Sequence, residues 1–480
     1  MLRPHPVSPT SSSKLFRTNR WRLVLSLLPL LLLLIIAVVG VTQIDKIRQL
    51  LGGATGEEAN IVIDTQAVLG TMPRPWRNLA QGGEQFDWRM QPILGSVKAL
   101  HPEYIRLDHI YDFYDIVHGS PGNLTFDFSK FDLILDDIKA AGAKPYIALS
   151  YMPPAISSGD ILAAPTSWAD WQLVVQKTIE HVSGTRGTQD VYYEVWNEPD
   201  LFGQWKYYGS KNYLTLYKYA ALGAANARGV QSFKIGGPAI TALYKSWFDA
   251  LAQYVLDNHL RLDFFSWHRY ANDLNQYKKD IYDVQTWVQA FPQLQPILEF
   301  QITEWGHDSN NNLGYDTNYG AAHTVAGAIE MINVVDRAFV FEVQDGKDPA
   351  GQKSWGRWGL FTSQDSGATA KPRYNALRML DKIADQRLQL LGKGSWVKAV
   401  AAKSETGSTQ VVLANFDQNS GHSENVPVTF ENIVPGSYKV HEEFLGGRQL
   451  NSEVATTAAK LQIHVAMPVN SVSFVELIQQ

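Results

Sequence analysis

The sequence predicts an α/β fold, a (β/α)8 barrel, followed by a β-sandwich domain. Three observations carry this. Over about 310 residues from Trp76 onward, a short apolar run, a loop and an amphipathic stretch recur eight times. Beyond about Gln386 the texture changes to short strands separated by turn residues. No Gly-x-Gly-x-x-Gly follows the first apolar run and no phosphate loop occurs, which disfavours the doubly wound open sheet that shares this local pattern.

The eight predicted barrel strands are 77–83, 104–108, 144–150, 192–196, 233–237, 264–268, 297–303 and 338–343. Between them, Ser129 and Asp132 form a capping box, and Phe131, Ile134, Leu135 and Ile138 make one apolar face before Gly142 ends the helix. Residues 167–181 repeat the plan, opening with Ser167 and Asp170, and the last helix starts at Pro372. In the tail, 395–403, 410–415, 426–430, 438–443 and 461–466 are short strands, and a short strand at 60–64 is free to join them.

The N-terminus reads differently. Arg3, Lys14, Arg17, Arg20 and Arg22 precede an apolar run, with no acidic residue among them. Removing these five charges from the net charge of −5 leaves −10 on the rest of the chain, so nucleic acid is not an expected partner. Residues 23–43 are long enough to cross a bilayer, and the flanking cations place the N-terminus in the cytoplasm. A cleaved signal peptide is the competing reading, with an apolar region normally shorter than this one. The expected organisation is therefore a cytoplasmic tail (1–22), a transmembrane helix (23–43), a linker (44–59), a barrel (60–386) and a β-sandwich (387–480). The expectation is a single-pass membrane protein with its barrel extracellular or periplasmic. With no cysteine in the chain, disulfides, thiolate nucleophiles and zinc-thiolate sites are excluded.

Chemistry concentrates at two strand ends. Barrel strand four runs into Trp196-Asn197-Glu198-Pro199, and strand seven into Thr303-Glu304-Trp305. Barrel enzymes carry their reacting groups at C-terminal strand ends, and strands four and seven face each other across eight strands. Two carboxyls so placed suit glycosidic bond cleavage, one protonated through burial and one ionised with donors beside it. Arg106 on strand two is the candidate cation, although an arginine there also serves simply to neutralise a buried carboxylate. His268 and Tyr270 past strand six are candidate donors, with a purely structural histidine as the alternative for His268. Asn197 is placed to reach a sugar 2-hydroxyl. Tyr151, Trp205, Trp305 and Trp358 are either sugar platforms or packing residues. Asp308, Asn310 and Asn312 resemble a calcium loop, but the glycine is displaced and Tyr319 replaces the closing carboxylate.

Together these motifs resemble glycoside hydrolase family 39, within the clan of retaining glycosidases whose catalytic glutamates stand on strands four and seven. The resemblance spans about Trp76 to Leu380. It rests on Trp76-Arg77 with Gly82-Gly83, Tyr104-Ile105-Arg106, Lys144-Pro145 with Met152-Pro153, the Asn197-Glu198 motif, Ser266 to Tyr270, Thr303 to Trp305, and Trp358 to Phe361 followed by Lys371-Pro372. It implies Glu198 as acid/base and Glu304 as nucleophile, and an appended β-sandwich. Arg106, Asn197, His268, Tyr270, Trp305 and Trp358 are then expected on the substrate, with no cofactor and no metal. Clan members often carry Trp at the end of strand eight. Here the segment reads Val340-Phe341-Glu342-Val343, so the floor is expected from Phe341, Trp355 or Trp358. Membrane-tethered hydrolases of bacterial exopolysaccharide match the anchor, with an extracellular polysaccharide or oligosaccharide as partner. The alternatives are a β-xylosidase-type exo-enzyme and an inactive carbohydrate-binding barrel.

Overall fold

The computed structural model describes residues 56–82, 85–346 and 356–480. The predicted anchor at 23–43 lies outside them. Among the described residues no helix is long and apolar enough to cross a membrane.

All eight predicted barrel strands form and close. In order they are Asn78–Gln81, Tyr104–Leu107, Lys144–Leu149, Val191–Val195, Phe233–Ile240, Phe264–Tyr270, Glu299–Gly306 and Arg337–Phe341. Each lies parallel to its neighbours, and the eighth returns to the first through Phe339 opposite Asn78. Side chains alternate between barrel interior and helix layer. Tyr104, Tyr146, Tyr192, Phe264 and Phe339 point inward and fill the N-terminal half as an aromatic plug. Tyr146 lies 4.6 Å from Phe339 and 5.2 Å from Tyr192, measured between ring centroids. Two residues further along these strands stand Arg106, Glu194, Ser266 and Phe341. The sequence thus stacks an aromatic layer beneath one that carries Arg106, Glu194 and Ser266, and this upper layer opens at the C-terminal face.

Capping is partly as predicted. Ser167 accepts from Asp170 N and starts the helix Trp168–Ile179, and Pro372 opens Pro372–Asp381. The capping box at Ser129 and Asp132 does not form. Asp127 Oδ1 instead accepts from Ser129 N, while Asp132 turns outward to His181 and Arg186. A carboxylate two residues upstream reaches the free amide, and Asp132 pairs instead with the His181 ring and the Arg186 guanidinium.

The second domain is one continuous nine-stranded sheet rather than two separate layers. It curls, so that Ile61, Ile63, Val428 and Phe430 share an apolar core with Val411, Leu413, Val440 and Val475. The early strand, Ile61–Thr71, sits inside this sheet, antiparallel to Gln386–Leu391 and parallel to Glu424–Glu431. It therefore leaves the 60–386 span expected for the barrel. The opposite face, including Val412, Phe416 and Phe474, packs on the barrel's outer core. Between barrel and sheet lies the helix Asn318–Glu330, whose buried residues run all the way round it. Its composition of Gly, Ala and Val suits an element covered on every side.

Candidate active site

Strand four ends at Val195, and the chain turns sharply. Trp196 (φ 76°) and Glu198 (φ 43°) both adopt left-handed backbone, which non-glycine residues hold only when surroundings over-determine it. Here Trp196 Nε1 donates to Phe202 O at 3.0 Å, and its ring packs against Tyr151 and Trp205. Glu198 N donates to Ala239 O at 2.9 Å, fastening the Glu198 backbone to strand five.

Strand seven carries the second carboxylate through a β-bulge. Gln301 pairs with Ser266 and Ile302 with Trp267, but Glu304, not Thr303, pairs with His268. The extra residue reverses the inward phase set by Glu299 and Gln301, so Glu304 points into the barrel and Trp305 points out. Trp305 is fully buried against Tyr277 and helix Asn318–Glu330, where a Cβ on Gly327 would stand 2.9 Å from Trp305 Cζ3. Its expected place on the substrate is thus corrected: without the bulge, alternation would have turned it inward.

The remaining expected residues converge, but Arg106 and His268 are fully buried and reach the two glutamates instead of the pocket, which corrects their expected place on the substrate. Arg106, fully buried, donates Nε to Glu194 Oε2 (2.7 Å), Nη1 to Glu304 Oε1 (2.9 Å) and Nη2 to Asn197 Oδ1 (2.7 Å). Tyr270 Oη donates to Glu304 Oε2 at 2.8 Å. His268 Nδ1 is 2.8 Å from Glu198 Oε1 and 3.4 Å from Glu304 Oε2. Asn197 Nδ2 donates to Asp108 Oδ2 and Tyr151 Oη. Ligand-type atoms of Glu198, His268 and Glu304 all lie within 4.8 Å of one another. That separation belongs to the double-displacement class, far below the spacing that leaves room for an attacking water.

Around them opens a pocket of about 450 Å³, lined by Asp108, Asn197, Glu198, Phe202, Tyr270 and Glu304, among others. Phe341 and Trp358 line it too, with ring centroids 5.6 Å apart, and so take the floor position. Trp355 lies outside the described residues. Buried Arg373 donates to the carbonyl oxygens of both Phe341 and Trp358.

Electrostatics separates the two acids. Burial raises the Glu198 carboxyl to about 8, helped by Asp200 and Asp108 and opposed by Arg106. Burial also raises Glu304, to about 7, against His268 and Arg106, which favour its ionised form, and with Glu198 raising it. The Arg106 guanidinium, which reaches Glu304 and not Glu198, favours loss of the Glu304 proton first. Burial lowers His268, outweighing the pull of Glu304, so the ring is neutral beside Glu198 at neutral pH.

The family model for glycosyl hydrolases family 39 matches residues 60–440. The chain belongs to this family. It is 28% identical over 375 residues to a β-xylosidase of Caldicellulosiruptor saccharolyticus, covering 72% of this chain and 74% of that one. It is 24% identical over 363 residues to a β-xylosidase of Geobacillus stearothermophilus, covering 66% and 69%. Its fold is similar to that of the GH39 enzyme from Xanthomonas axonopodis pv. citri, at 19% identity and a TM-score of 0.72, over 89% of this chain and 99% of the other. The chain is a retaining glycoside hydrolase.

In this family 39 hydrolase, Glu198, His268 and Glu304 are close enough to chelate a cation. Arg106, however, already presents a fixed positive charge to Glu304 Oε1, in the same buried space. The donor set suits paired acid chemistry better than a divalent ion. The acidic loop after strand seven closes on itself: Asp308 accepts from Asn310 N and from Asn312 Nδ2.

Two site residues escaped the sequence reading. Glu194 is fully buried and completes the Arg106 clasp; its inward position two residues after Tyr192 was the available signal. Asp108, two residues after Arg106, is the other, and it lines the pocket while accepting from Asn197.

Proposed function

We propose that Glu198 is the acid/base and Glu304 the covalent nucleophile of a double displacement on an oligosaccharide or polysaccharide outside the cytoplasm. One observation carries the assignment: Arg106 and Tyr270 both donate to Glu304, and neither donates to Glu198. Donors favour the ionised form of the group they reach, so Glu304 is prepared to attack and Glu198 to give a proton.

In the first step a Glu304 oxygen bonds the anomeric carbon while the glycosidic C–O bond breaks. Glu198 gives its proton to the departing oxygen, which leaves as an alcohol. In the second step Glu198, now a carboxylate, takes a proton from water, and that water's oxygen displaces Glu304. Both glutamates return to their starting states with one water consumed. His268 Nδ1 stays 2.8 Å from Glu198 Oε1 and holds that carboxyl in place through both steps. A sugar 2-hydroxyl at Asn197 competes with Asp108 and Tyr151 for its amide, so substrate entry rearranges that contact.

The test is trapping. A 2-deoxy-2-fluoro aryl glycoside should leave one glycosyl group on the peptide containing Glu304, read by mass spectrometry. A label on Glu198 would reverse the assignment.

The location outside the membrane rests on the 23–43 apolar run and its flanking cations alone. A second reading, an exo-acting β-xylosidase, is favoured by the names of the two relatives. Release of single xylose units from xylo-oligosaccharide ends would support it. Internal cleavage of a polymer would favour the first.

A further inference from the structure

Beside the acid, the molecule exposes apolar side chains that its own packing does not use. Leu201 is 56% and Phe202 38% exposed, and both line the pocket, within four residues of Glu198. Their backbone is nevertheless tightly held. Leu201 N and Phe202 N donate to Glu198 O at 3.0 and 2.7 Å, and Phe202 O accepts from Trp196 Nε1. Phe202's ring meets Tyr151 edge-on at 5.8 Å. A neighbouring segment is tied to the same turn: Asp200 accepts from Thr241 N and Oγ1 at 3.1 and 2.5 Å. Thr241 lines the pocket, and Tyr244, 43% exposed, sets its hydroxyl 3.5 Å from Thr241 Oγ1. The result is a rim of fixed, solvent-facing apolar surface on the turn that carries the acid.

Position identifies the occupant. The acid's proton goes to the oxygen of the leaving group, so surface carried on the Glu198 turn meets the leaving side of the scissile bond. A pyranose ring presents a C–H face that packs on aromatic and aliphatic surface, and its hydroxyls reach water at the rim. We propose that Leu201, Phe202 and Tyr244 form a leaving-group subsite for a further sugar residue, so that the enzyme reads its glycan on both sides of the bond it cuts. This rests on Glu198 being the acid.

The test compares substrates that differ only on the leaving side. Glycosyl fluorides lose a single atom, whereas the matching trisaccharides lose a sugar; matched sets built on xylose, glucose and galactose serve as probes. Phe202→Ala should lower the kcat/KM ratio of trisaccharide to fluoride about tenfold or more, and Phe202→Trp should restore most of it. Tyr244→Ala should lower the same ratio by a smaller factor. Continued fluoride turnover by each variant shows that it has folded. An equal loss on both substrates would overturn the subsite. So would an unchanged ratio with a smaller particle by light scattering, which would assign the patch to self-contact. In Glu198→Gln the trisaccharide kcat/KM should fall far more than the fluoride kcat/KM, because only the sugar needs a proton to leave; an equal fall would overturn the acid assignment and the subsite together. Fluoride turnover with an unchanged ratio would remove the subsite alone.

Discussion

Arg106 Nη1 stands 2.9 Å from Glu304 Oε1 with both side chains buried, and the same guanidinium is bound to Glu194 and Asn197. One cation therefore fixes the proposed nucleophile, a second carboxylate and the residue before the acid. Burial alone would strip such a guanidinium of its proton more easily, but Glu194, Glu304 and Asp108 outweigh it and hold the charge firmly.

Arg106→Met should leave two buried carboxyls without their cation. The expected loss of stability is about 3–5 kcal/mol, seen as an earlier midpoint in chemical denaturation. A change under 1 kcal/mol would show that the clasp is not what holds these groups.

Tyr270→Phe removes one donor from Glu304 and leaves the ring in place. A hydrogen bond to a charged group of this kind predicts a fall of about 10–100-fold in kcat/KM, with little change in thermal midpoint. Steady-state kinetics on an aryl glycoside with a poor leaving group measures it.

The pH profile follows from the two raised carboxyls. As the proposed nucleophile, Glu304 must be ionised, so activity should fall as pH drops through about 7. As the proposed acid, Glu198 must be protonated, so activity should fall again as pH rises through about 8. The bell is narrow and lies above the usual carboxylate range. In Glu198→Ala, assayed with a dinitrophenyl glycoside and azide, the alkaline limb should vanish. The acid limb should remain, because Glu304 must still be ionised to attack.

Glu198 also costs stability. Its carboxyl ionises near 4.5 when unfolded but near 8 when folded, so the native state binds the extra proton between those values and stability falls as pH rises through that window. Glu198→Gln has no such loss. Its melting temperature should exceed the wild type's by on the order of 2–4 °C at pH 8, and the advantage should fade below about pH 5. Scanning calorimetry at both pH values checks the sign.

Trp305 and Trp358 should separate cleanly. Trp305→Ala opens a cavity between strand seven and helix Asn318–Glu330 and should cost about 3–5 kcal/mol of stability, with kcat kept at low temperature. Trp358→Ala, at the half-buried pocket floor, should raise KM with a smaller effect on stability.

The sequence by itself determined the barrel, its eight strands and the two strand-end glutamates. Alternation along a strand and the repeat of strand and helix are local properties, visible without knowing any partner. It also brought Arg106, Asn197, His268 and Tyr270 to the same end of the barrel, because each lies within about two residues of a strand terminus. Tertiary structure decided the rest. The strand Ile61–Thr71 belongs to the second sheet because its partners, Gln386–Leu391 and Glu424–Glu431, are more than three hundred residues away in sequence and only pairing can choose them. The bulge at Thr303 set which neighbour of the pair Glu304-Trp305 faces the substrate, since one added residue reverses a period of two. Glu194 became Arg106's second partner, and Phe341 with Trp358 became the floor, through contacts between strands that no single segment encodes.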